Sequence, residues 1–175
     1  MQFNPNAYGP EVAEILALDG DGERFMPLVR MAPSKPEPKA AIEALAKLKL
    51  LPGAALAGLY LYFSCWEEAH ETAHHLSTRE GDYWHAIVHR QEPDAGNAGY
   101  WFGQVGAHPI FTELREHAAQ IGVDFGPRWD PIAFVKMCER ARKQPGSELE
   151  RQALETQRAE WQLLFDYCAA KTGRV

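Results

Sequence analysis

Apolar residues recur at three- and four-residue intervals along most of the chain, the spacing that gathers them on one face of a helix. Val12, Ile15 and Leu16 predict a short helix over Pro10–Leu18, stopped by Asp19-Gly20-Asp21-Gly22. Ser34 with Glu37 fits a capping box and Pro38 a first helical turn. A second helix then runs to about Lys49, with Ile42, Leu45, Ala46 and Leu48 on its apolar side. Pro52-Gly53 ends that segment, and one long helix is expected from about Ala54 to Leu76. Its first half is apolar all round (Leu56, Leu59, Tyr60, Leu61, Phe63), which implies burial on every side. Its second half keeps Trp66, Ala69 and Ala73 but adds Glu67, His70, Glu71 and His74 along one face.

Further on, Asp82 is the expected cap of a short helix through about Gln91, closed by Glu92-Pro93. Asp94 caps the next, to about Val105, and Gly106 stops it. His108-Pro109 opens another that runs to Gln120 and ends at Gly122. Asp130-Pro131 starts a helix to about Lys143. Ser147 with Glu150 is a second capping box, followed by a long terminal helix carrying Leu154, Trp161, Leu164, Phe165 and Cys168. No segment alternates with period two in β-branched residues. The pattern predicts an all-α fold, a single-domain multi-helix bundle of about seven or eight helices over residues 1–175. Pro5 and Gly9 make residues 1–9 an irregular N-terminal arm.

A chain of 175 residues is long enough to bury a core without metals or disulfides, and 46% hydrophobic with 24% charged residues suits a globular protein. The net charge of −6 and the lack of a basic stripe argue against nucleic acid as a partner. Cys65, Cys138 and Cys168 are odd in number and widely spaced, which reads as buried thiols in a reducing compartment. Leu50–Trp66 is the longest uncharged run, but Pro52-Gly53 interrupts it and it falls short of the roughly 20 residues of a membrane span. No basic stretch followed by an apolar block opens the chain. A cytoplasmic protein with no membrane partner is expected. Asp19-Gly20-Asp21-Gly22 resembles a calcium loop only in part, because Arg30 stands where the closing glutamate belongs, so a turn is expected.

Candidate chemistry concentrates between His70 and His108. His70-Glu71-Thr72-Ala73-His74 matches H-E-x-x-H, in which two histidines a turn apart bind zinc and the glutamate activates water. The extension that would supply a third histidine is missing, with Ser77 and Glu80 at those places; Glu92 is the alternative third ligand. Glu67-x-x-His70 and Glu71-x-x-His74 match the inward motif of di-iron bundles, yet both lie on one helix and cannot face each other across a core. His85 and His89 form a second pair one turn apart, with Arg90, Glu92 and Asp94 at the helix end. They can clamp a metal, or act as acid–base imidazoles oriented by Glu92 while Arg90 holds a carboxylate or phosphate. Asn97 and Tyr100 are a turn apart and can present an amide and a phenol beside that pair. His108 opens a helix, where free backbone N–H groups attract anions. His75 lies on a different helical face from His70 and His74; if it faces the second pair, the H-E-x-x-H match is a coincidence. No phosphate loop, dinucleotide fingerprint or nucleophile elbow is present.

Over Gly81-Asp82-Tyr83-Trp84-His85-Ala86-Ile87-Val88-His89-Arg90, then Glu92, Tyr100-Trp101-Phe102 and His108-Pro109, the chain resembles a family of helical proteins, chiefly bacterial. Their hallmark is W-H-x-x-x-H-R-x-E, followed by Y-W-F and H-P. The resemblance covers thirty to forty residues and implies a site at His85–His108, with no activity to carry over. The leading expectation is therefore a histidine-rich pocket for a small anionic ligand or a divalent metal, zinc or iron. His85, His89 and Glu92 would be its reactive groups, and His75, Arg90, Asn97, Tyr100 and His108 its binding groups. Two alternatives stand beside it: a zinc-dependent hydrolase built on His70, Glu71 and His74, and a non-enzymatic helical interaction module in which the polar run is a structural network.

Overall fold

Nine α-helices occur among residues 3–33 and 35–170, which the computed structural model describes; no strand is present among them. In order they are α1 (Pro10–Ala17), α2 (Glu37–Leu48), α3 (Gly53–Tyr62), α4 (Trp66–His74), α5 (Arg79–Gln91), α6 (Ala95–Val105), α7 (Phe111–Gln120), α8 (Pro131–Ala141) and α9 (Glu148–Ala169). The all-α expectation holds, with one or two helices more than expected. No helix among the described residues is long and apolar enough to cross a membrane.

The extra helix comes from the expected long helix over 54–76, which the structure divides. Ser64 takes φ +60°, the Cys65 N–H bonds back to the Tyr60 carbonyl at 2.9 Å and the Ser64 N–H to Leu61 at 3.1 Å. Those are the two bonds of a Schellman termination, made here with serine instead of glycine in the left-handed position. α4 therefore leaves α3 in a new direction. The start of α5 is corrected as well. Its cap is Thr78, whose hydroxyl accepts the Gly81 N–H at 3.1 Å, and Asp82 falls inside the first turn. α7 begins at Phe111, after His108-Pro109 rather than at it. The other three caps are as expected: Asp94 accepts from the Asn97 amide, Asp130 from the Ile132 and Ala133 amides, and Ser147 from the Glu150 amide. Ser34 of the first expected capping box lies outside the described residues.

α3 is buried nearly all round and forms the centre, packed on α2, α4, α5 and α9. Gly58 lets α5 and α9 approach it: a Cβ there would meet Trp84 at 2.7 Å and Phe165 at 3.2 Å. The Trp161 indole donates to the Gly58 carbonyl at 2.8 Å and stacks on Phe165 with 5.0 Å between centroids. Phe3 and Tyr8 anchor the N-terminal arm on α9. Phe3 packs against Trp161, and the Tyr8 hydroxyl donates to Asp166 at 2.9 Å. The Asp19–Gly22 turn is tied down by Tyr62, whose hydroxyl donates to the Asp19 carbonyl and accepts the Gly22 and Arg24 amides.

Candidate metal centre

The kink at Ser64 brings α4 against α5, and the histidine faces of the two helices meet. On α4, Trp66, His70 and His74 follow one another at four-residue steps and their rings stack in a column. Trp66 and His70 centroids are 5.1 Å apart and His70 and His74 6.1 Å, with interplanar angles of 11° and 5°. On α5, His85 and His89 stack at 4.8 Å, and both are buried. Across the junction the Nε2 atoms of His70 and His85 are 3.0 Å apart. One ring nitrogen from each of His70, His85 and His89 lies within 4.8 Å of the others. Trp101 of α6 closes the side, its ring 4.1 Å from that of His85.

Burial lowers the proton affinity of two of these imidazoles, His85 and His70. Desolvation, and then the neighbouring His89, His70 and His74, push His85 down to about 3 from an ordinary 6.5. His70 is lowered too, again first by burial and then by His89 and His74. Neutral imidazoles with free lone pairs are the form that ligates metals. Glu92 Oε2 lies 3.0 Å from His89 Nδ1. An N–H there donating to the carboxylate leaves the lone pair on Nε2, the arrangement that orients metal-binding histidines. His89, Glu92 and Asp94 also lie close enough to form a second ligand group, although Asp94 is already engaged by the Asn97 amide and side chain.

Several expected site residues stand elsewhere. His75 is exposed, its Nδ1 2.8 Å from the Glu71 carbonyl oxygen, and His70, expected to face away from the second pair, is the residue that meets it. Glu71 points to the same exposed side as His75, at 3.5 Å. Asn97 caps back on Asp94, and Tyr100 is 60% exposed. Arg90 is the largest correction. Seven residues from Tyr83, it shares that residue's face of α5, opposite His85, His89 and Glu92. There it is 1% exposed, pairs with Glu160 of α9 at 2.5 Å and lies over the Phe134 ring. Burial alone would lower its guanidinium, and its surroundings, Glu160 foremost, raise it by more. Tyr83 donates to the other Glu160 oxygen at 3.1 Å. His108 is buried on that side of α5, between the rings of Tyr83 and Tyr167.

Sequence reading missed Trp66 and Trp101 as walls, although Trp66, His70 and His74 share a regular four-residue spacing. It missed Glu160 as well. Ala153, Gln157, Glu160 and Leu164 follow a core stripe, and two polar residues on such a stripe signal a buried network. Compared with known protein families, with curated proteins and with solved structures, the chain matches none.

Proposed function

We propose that this protein binds a divalent transition metal, zinc or iron, through His70, His85 and His89. The observation that carries the reading is the convergence of three imidazoles from two helices, with the most buried of them held neutral. Nitrogens that each sit about 2.0–2.1 Å from a tetrahedral zinc are roughly 3.4 Å apart. The 3.0 Å between His70 and His85 needs a slight opening to meet that, and the His89 nitrogen, within 4.8 Å of both, has to draw in. Glu92 supports this reading as the carboxylate behind His89, and imidazole ligation suits zinc or iron. Three protein ligands leave a coordination position for water or a small anion. His74, exposed and 5.3 Å from His85 between ring centroids, stands beside the group as a further donor.

The test is metal content after stripping and reloading the full chain with zinc or ferrous iron. One tightly held equivalent is expected in the wild type. His70→Ala and His85→Gln should each lose it while circular dichroism stays helical, and Arg79→Ala should keep it. Equal metal retention in all four proteins, or none in the wild type, rules the site out.

A further inference from the structure

Between the α6–α7 connection and the segment leading into α8 lies a cavity of about 560 Å³, a size that takes a small organic molecule. Its wall includes His108, Phe111, Thr112, Arg115, Arg128 and Trp129, and no aspartate or glutamate lines it. In a chain of net charge −6, a wall with two arginines and no carboxylate is a local reversal of sign. Arg128 makes no ion pair or side-chain hydrogen bond among the described residues. Among the described residues Arg115 has only the adjacent Glu116, at 3.8 Å, too far for a hydrogen bond. Arg79 adds a cation near the rim, donating to the Ala107 carbonyl at 3.1 Å. Trp129 is buried and lines the cavity beside Arg128 and Pro131.

We propose that this cavity binds a small organic oxyanion, a phosphate monoester or carboxylate with an aromatic or apolar body. The guanidinium groups of Arg115 and Arg128 take the oxyanion, as planar donor forks do, and the Thr112 hydroxyl is a further donor. Phe111, Trp129 and Pro131 supply the apolar wall for the body. The inference stands apart from the metal reading, since it uses none of the three ligand histidines.

Calorimetric titration of the full chain with phenyl phosphate, benzoate and inorganic phosphate tests it. One equivalent of phenyl phosphate or benzoate should bind saturably and more tightly than inorganic phosphate; which of the two is tighter identifies the headgroup. Arg115→Ala and Arg128→Ala should each weaken binding about tenfold or more without changing the melting temperature. His70→Ala should bind the anion as the wild type does, so failure of the metal reading and failure of this one are separable. Absence of saturable binding for both organic anions, or binding that survives the double variant Arg115→Ala/Arg128→Ala, overturns the proposal.

Discussion

His85 concentrates the chemistry of the candidate centre in one ring. It is 2% exposed, it touches His70, His74, His89 and Trp101, and burial makes its cationic form unfavourable. The consequence for stability has a definite sign. An unfolded chain protonates this imidazole near 6.5, whereas the folded one resists down to about 3. Between those values the unfolded state binds the extra proton, so stability is complete above 6.5 and declines as pH falls toward 3. Denaturation of the metal-free protein across that window should show the decline, and His85→Gln should flatten it. An unchanged slope in the variant would show that His85 carries no part of the acid sensitivity. The sequence placed His85 and His89 on one helical face by their four-residue spacing. It did not identify the third nitrogen, because a partner on another helix leaves no trace in spacing.

At the scale of elements, the decisive feature is the termination of α3. Both Schellman bonds form around Ser64 at φ +60°, a conformation that costs an L-residue roughly 1–2 kcal/mol. Ser64→Gly should therefore raise stability by about 1 kcal/mol in chemical denaturation, after allowing for the entropy glycine loses on folding. A destabilised variant would mean that the serine side chain contributes to the turn. Compare the end of α7. Gly122 at φ +83° closes the same motif, with Val123 bonding back to Ala118 at 2.8 Å, and there glycine announced the stop. The break at Ser64 was illegible because the uncharged run up to Trp66 reads as a continuing helix and has no glycine or proline at the stop. The false continuity had a consequence. With α3 and α4 drawn as one rod, nothing turns the face of His70 and His74 onto α5, and the two histidine pairs looked like rival sites.

For the molecule as a whole, α5 is the divide. One face meets α4 and α6 and holds the histidines; the other meets the core and holds the Arg90–Glu160 pair, which links residues seventy positions apart in the chain. Both charges are buried, and Gln157 ties the pair on to the Met26 and Pro27 carbonyls. Arg90→Ala leaves Glu160 as a buried charge without its counter-ion and should cost about 3–5 kcal/mol in urea denaturation. Replacing both partners by methionine should recover most of that loss. An Arg90→Ala variant as stable as the wild type would return Arg90 to the binding role that its sequence neighbours suggested.

The helical class, most helix boundaries, the buried centre of α3 and the His85–His89 pair follow from local rules of periodicity, capping and turn chemistry, which act within a few residues and are written along the chain. The assignment of His70 to those two histidines, of Arg90 to Glu160 and of His108 to a separate cavity was decided by packing alone. Each depends on the direction in which one helix leaves another, and that direction is set by which faces can be buried together rather than by any residue's neighbours in sequence.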